Sequence, residues 1–202
     1  MNLHRLLLRR AAEGRPVRVA VIGAGKFGSM FLHQAPRTPG LLFHAIADLS
    51  VPRARAALAR IGWSEAQIAA TTITEDVLGA IADPLVEVVV EATGDPAAGL
   101  RHARHAIAHG KHVVMVDVEA DVLAGPVLAA EAERAGVVYS MAYGDQPALV
   151  SELVDTVRAA GFSVVAAGAS ASLPRDRAAR PRCPSAWRMA WRCPATWRRA
   201  PC

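Results

Sequence analysis

Three glycines and one acid carry the clearest chemistry in this chain. The run Val-Arg-Val-Ala-Val-Ile-Gly-Ala-Gly-Lys-Phe-Gly occupies residues 17–28, and Asp48 lies twenty residues beyond its last glycine. An apolar run ending in Gly-x-Gly-x-x-Gly predicts a strand, a tight turn and a helix that together receive a dinucleotide pyrophosphate. Gly23 lets the chain turn out of the strand, Gly25 lets a phosphate approach the backbone, and Gly28 lets the helix pack against the strand. Ala24, Lys26 and Phe27 fill the rest of the loop, and the next helix offers unpaired N–H groups to an anion. Asp48 is placed to accept from the adenosine ribose, which favours NAD, whereas Arg53 and Arg55 stand close enough to meet a 2′-phosphate. The cofactor is therefore written NAD(P), with NAD and NADP both open; an ordinary helix cap or turn residue is the competing reading of Asp48.

Acids cluster where further strands should end: Glu91, Asp117, Glu119, Asp121 and Asp145. A carboxylate there can be a general base, a metal ligand or a helix cap. Asp121 and Asp145 each precede an expected helix and suit capping, whereas Glu119 does not; Glu119 and Asp145 are the two candidate catalytic residues. Thr93-Gly94, just after another strand, joins the expected cofactor contacts. His102, His105 and His109 share a helical face and are followed by His112, but a helix covering the outside of a sheet makes them solvent-facing histidines rather than ligands, so no metal is expected. No Gly-x-Ser-x-Gly, His-Glu-x-x-His or Walker motif occurs.

The elements that must hold these residues alternate regularly. Strands are expected at residues 17–22, 41–47, 86–92, 112–116, 137–141 and 162–167. Helices are expected at 26–35, 51–61, from about 74, 96–109, 126–135 and 147–160, with prolines and glycines as stops. Strand alternating with helix requires a parallel sheet covered on both faces, hence an α/β, doubly wound Rossmann domain. The expected organisation is an N-terminal helix over residues 1–16, an NAD(P)-binding domain over 17–168, and a disordered tail over 169–202.

Charge divides the chain at the same place. The net charge of +5 over 202 residues would suggest a nucleic-acid partner if it were spread evenly. Residues 173–202 hold eight arginines against Asp176, together with all three cysteines, three of four tryptophans and five of thirteen prolines; residues 1–172 hold 15 basic and 17 acidic side chains. The globular part is thus mildly acidic, which argues against nucleic acid as a partner; the partner expected of a dinucleotide-binding oxidoreductase is a small-molecule substrate. Three cysteines without zinc spacing read as unpaired thiols. The opening Met-Asn-Leu-His-Arg-Leu-Leu-Leu-Arg-Arg is too short in apolar residues for a signal or a membrane span, so the expected location is cytoplasmic, without a membrane partner.

Longer stretches resemble a known family. Val-Ile-Gly-Ala-Gly-Lys-Phe-Gly-Ser, Val-Glu-Ala-Thr-Gly, His-Gly-Lys-His-Val-Val-Met-Val-Asp-Val-Glu-Ala-Asp and Tyr-Ser-Met-Ala-Tyr-Gly-Asp-Gln-Pro are similar to the homoserine dehydrogenase-like oxidoreductases. The branch most resembled has a SAF domain and includes deoxyxylulose phosphate reductoisomerase-like enzymes. The resemblance covers about residues 1–168 and implies NAD(P)-dependent hydride transfer on a small carbonyl or hydroxy substrate, with NADPH the expected donor and a homo-oligomer in the full-length family. Homoserine dehydrogenases proper carry a lysine where this chain has Glu119, so the resemblance does not extend to homoserine as substrate. After Gly168 the family pattern of a Gly-Lys-Gly turn and a substrate-binding region gives way to the Arg/Pro/Trp/Cys tail. That composition fits an out-of-frame translation of a GC-rich gene, and the expectation is a nucleotide-binding part able to bind cofactor without turnover.

Overall fold

A computed structural model describes residues 3–144, 146–169 and 187–192. The chain divides into two compact units, the first ending at Met141 and the second beginning at Ala142.

The first unit opens with helix α1 (Leu3–Ala12), followed by strand β1 (Val17–Ile22), helix α2 (Lys26–Gln34) and strand β2 (Leu41–Ala47). A 3-10 turn, Ala35–Arg37, ends α2 where Pro36 stands. Next come α3 (Val51–Arg60), α4 (Glu65–Ala70), β3 (Thr72–Thr74), α5 (Val77–Ala82) and β4 (Val88–Glu91). The unit closes with α6 (Pro96–Ala108), β5 (His112–Met115), α7 (Val118–Ala135) and β6 (Tyr139–Met141). All six strands are parallel, in the order β3-β2-β1-β4-β5-β6. This is the doubly wound sheet that the alternation requires.

Both faces of the sheet are buried, which is why its strands read as nearly continuous apolar runs. Alternate residues of β1 divide between the faces. Ala20 and Ile22 join Val89, Val113 and Met115 under Ile81, Ala103, Ala106, Ala120 and Leu128, whereas Val19 and Val21 join Phe43, Ile46 and Val90 under Leu32, Leu58 and Trp63. Small alanines dominate the first face and let α6 and α7 sit close to the strands. On the second, Phe31, Phe43 and Trp63 stack edge to face, and the Trp63 indole N–H donates to the Leu32 carbonyl at 2.8 Å.

Helix α7 begins eight residues before the expected position. Asp117 caps it, accepting from the Ala120 N–H at 3.1 Å, and Pro126 lies inside the helix on its exposed side instead of opening it. Glu119 and Asp121 are therefore helical, and Asp121 is not a cap. The segment α4–β3, not expected from sequence, occupies the edge of the sheet, with β3 paired only to β2.

The second unit contains α8 (Gln146–Ala159), β7 (Ser163–Ala169) and β8 (Trp187–Arg192). Strand β7, expected as the last of the alternation, pairs antiparallel with β8, with a register shift between Val164 and Ala166. The stretch expected to be a disordered tail thus contains a strand at 187–192. Its sequence alternates, with Trp187, Met189 and Trp191 every second residue, a strand period that composition alone obscures. The cysteines and the rest of the tail lie outside the described residues. Among the described residues no helix is long and apolar enough to cross a membrane.

Candidate dinucleotide site

Strand ends come level along one edge of the sheet. Gly23 N–H donates to the Ala47 carbonyl, Ala92 N–H to Ile22 and Val116 N–H to Glu91, so the residues after β1, β2, β4 and β5 start at the same height. The order of connection reverses between β1 and β4, and at such a switch point the two following loops diverge and leave a crevice. One wall is the loop Gly23–Gly28, and the other is the turn Thr93-Gly94.

The three loop glycines have different physical causes. Gly23 has φ +95°, and a Cβ there would lie 2.6 Å from the Ala92 carbonyl oxygen. At Gly28 a Cβ would lie 2.1 Å from the Gly23 carbonyl oxygen, so helix and strand can approach this closely only without a side chain. Gly25 differs, because nothing lies within 4 Å of its Cβ position and its φ is not left-handed. The protein itself has no need of glycine there, so the open space beside Gly25 fits an incoming pyrophosphate. Lys26 and Phe27 are exposed next to it, and Ala24 is buried beneath. Helix α2 makes its first intrahelical bond from Ser29 to the Gly25 carbonyl, leaving its first-turn N–H groups at the crevice mouth.

Asp48 is 7% exposed and fully engaged. One oxygen accepts from the Ala24 N–H at 2.9 Å; the other accepts from Ser50 N–H at 3.1 Å and from the Arg53 guanidinium at 2.8 Å. Burial pushes its carboxyl up, but the bonds from Arg53, Ala24 and Ser50 outweigh burial and hold it below the usual carboxylate range. Helix α3 is capped not by Asp48 but by Ser50. Asp48 therefore ties β2 to the glycine loop. A group whose folded pKa is depressed stabilises above its unfolded value and loses that contribution as pH falls through the folded one. Stability of the wild type should accordingly fall as pH drops through and below the usual carboxylate range, and Asp48→Asn should flatten that acid limb in thermal melts.

The acids divide in a way sequence could not show. Glu91, Asp117 and Asp121 turn inward between the sheet and helices α6 and α7. Tyr139 donates to Asp121 at 2.8 Å, and its hydroxyl is pushed far up by burial, by that bond and by the charges of Asp121, Asp117 and Glu91. Glu119 alone of the four is exposed, in the first turn of α7 at the same edge as the crevice. Asp145, the other catalytic candidate, lies outside the described residues.

His102 does not face solvent as expected. Its side chain is 12% exposed and its Nδ1 sits 3.2 Å from Glu91 Oε1. His105 is half-buried, with Nε2 enclosed and unpartnered, whereas His109 and His112 are exposed. Among the described residues no group of three or more His, Cys, Asp or Glu could hold a metal ion.

Comparison with known proteins agrees with this geometry. Residues 17–143 match a family model described as an oxidoreductase family with an NAD-binding Rossmann fold, and residues 144–195 match the catalytic domain of oxidoreductase DRL. None of the curated proteins matches the chain. Among solved structures, an NAD-binding oxidoreductase from Klebsiella pneumoniae is 24% identical with TM-score 0.54, over 72% of this chain and 39% of that one. A homoserine dehydrogenase from Thiobacillus denitrificans is 23% identical with TM-score 0.57, over 71% and 34%. GenD2 from gentamicin A biosynthesis, solved with NAD, is 22% identical with TM-score 0.50, over 75% and 41%. These three likenesses are of fold, and the chain spans about two fifths or less of each relative.

Proposed function

The chain belongs to the GFO/IDH/MocA oxidoreductase family through its NAD-binding Rossmann fold, and from that premise we propose that its crevice serves hydride transfer between a nicotinamide cofactor and a small carbonyl or hydroxy substrate. The observation that carries the reading is the open space at Gly25, beside a helix N-terminus and across from Thr93-Gly94. Bound there, the nicotinamide supplies a two-electron hydride donor or acceptor. The backbone N–H groups of residues 25–28 receive the pyrophosphate, with Lys26 adding positive charge. Glu119 is our candidate for proton transfer to the substrate oxygen, with Asp145 as second candidate. The match of residues 144–195 supports placing the chain nearest the reductoisomerase-like branch.

The test is a titration of purified protein with NADH and NADPH followed by nicotinamide fluorescence. Saturation by at least one below millimolar concentration is expected, and binding of neither would overturn the reading.

Both cofactors suit the adenosine end. The Asp48 charge is offset by Arg53, whose side chain is 70% exposed and able to leave the carboxylate for a 2′-phosphate. Arg53→Gln should weaken NADPH about tenfold, as for one lost charge-assisted hydrogen bond, while changing NADH no more than about twofold. Equal losses for the two cofactors would remove Arg53 from the discrimination.

A further inference from the structure

Glu91 is the one fully enclosed acid of the sheet, with 0% of its surface exposed. It ends β4, directly before the turn that walls the crevice. Enclosing a carboxylate is costly unless donors meet it. Two donors meet one oxygen: Thr93 Oγ1 donates to Oε1 at 2.6 Å, and His102 Nδ1 lies 3.2 Å from the same atom. With its proton on Nδ1, His102 donates to that oxygen. The other oxygen, Oε2, is buried and has no partner. It occupies the space left by Gly99 of α6, where a Cβ would come within 3.2 Å of it and also within 3.2 Å of Ala120 Cβ in α7. The carboxylate thus lies between the first turns of two helices, whose dipoles favour negative charge there.

This arrangement has a use beyond stability. Thr93 is itself exposed, yet its hydroxyl is held from below. The neighbouring carbonyl of Ala92 is the atom that Gly23 approaches too closely to allow a side chain. The buried pair therefore fixes the height of the turn against the phosphate loop, and with it the width of the crevice.

We propose that Glu91 and His102 are positioning residues for the dinucleotide, acting through Thr93, whose hydroxyl they orient at the wall of the crevice. The proposal rests on the reading of that crevice as a dinucleotide site. Neither residue touches the cofactor; Thr93 is their point of contact with it.

A double-mutant cycle on NADH affinity tests this, with thermal melts as control. Glu91→Met keeps the length of the side chain but removes the acceptor, and should weaken NADH about tenfold, the size of one net hydrogen bond. Thr93→Val should do the same, and Thr93→Ser, which restores the hydroxyl, should recover most of the loss. Combining Glu91→Met with Thr93→Val should cost no more than either alone, because the two act through one bond. His102→Gln should show the same dependence on Thr93. Losses that multiply, or that persist in Thr93→Ser, would overturn the proposal while leaving the dinucleotide site in place. Should Glu91→Met fail to fold, Thr93→Val, Thr93→Ser and the His102→Gln cycle decide the matter. Wild-type protein that bound neither NADH nor NADPH would instead remove the site reading itself, and this proposal with it.

Discussion

A Gly25→Val protein is expected to fold with an unchanged Tm and to lose NADH and NADPH binding by more than about a hundredfold, equivalent to about 2.7 kcal/mol. The separation of the two effects follows from local geometry. Nothing lies within 4 Å of the Cβ position apart from the chain neighbours, and the residue is exposed with φ outside the left-handed region, so a side chain starts into open space. Surface changes of that kind move stability by no more than about 0.5 kcal/mol. The added isopropyl group projects into the open space beside the first-turn amides of α2, where the pyrophosphate is assigned. Fluorescence titration beside a thermal melt measures both quantities on one preparation. Retained affinity would show that the crevice does not take the dinucleotide as assigned.

Three residues later the same motif should behave in the opposite way. Gly28→Ala places a methyl group 2.1 Å from the Gly23 carbonyl oxygen, a backbone atom with no freedom to yield. Helix α2 must then lift from β1, disturbing contacts of Leu32, which is fully buried. Overpacking typically costs about 1–3 kcal/mol and more where the clashing atom is backbone, so a loss of at least about 3 kcal/mol is expected in urea unfolding. A destabilisation below about 1 kcal/mol would mean that the helix end is softer than its packing implies.

These two glycines illustrate how much of the site was legible. Residue spacing placed the glycine loop between β1 and α2, Asp48 directly after β2 and Thr93 just after β4, because strand, turn and helix alternate with readable stops. Spacing could not separate the glycine kept for the fold from the one kept for the ligand, since that distinction rests on how closely α2 packs on the Gly23 carbonyl at the end of β1, a contact that exists only in the folded unit. Nor could it show that Glu91 faces His102 rather than the crevice, because their contact exists only once α6 docks on the sheet. A glycine in the first turns of α6 was the available hint, marking where another group must approach closely. Pro126 misled in the usual manner: proline opens many helices, but the acid at Asp117 was the stronger start signal, its carboxylate accepting from the N–H of Ala120 three residues on. The missed helix α4 also had a readable sign, the capping box formed by Ser64 and Gln67. Short β3 had none, as three residues carry no period.

The pairing of β1 with β4 joins residues 19–22 to residues 88–91. A chain emerging from the ribosome completes its glycine loop long before it makes the strand that supplies the opposite wall. Cofactor therefore has nothing to bind during synthesis of the first eighty residues, and cannot template their folding. Binding competence should arise in one step with closure of this non-local pair, among the slower events of folding because the loop between the strands must first be ordered. In a refolding experiment, recovery of nicotinamide fluorescence should lag the return of helical signal.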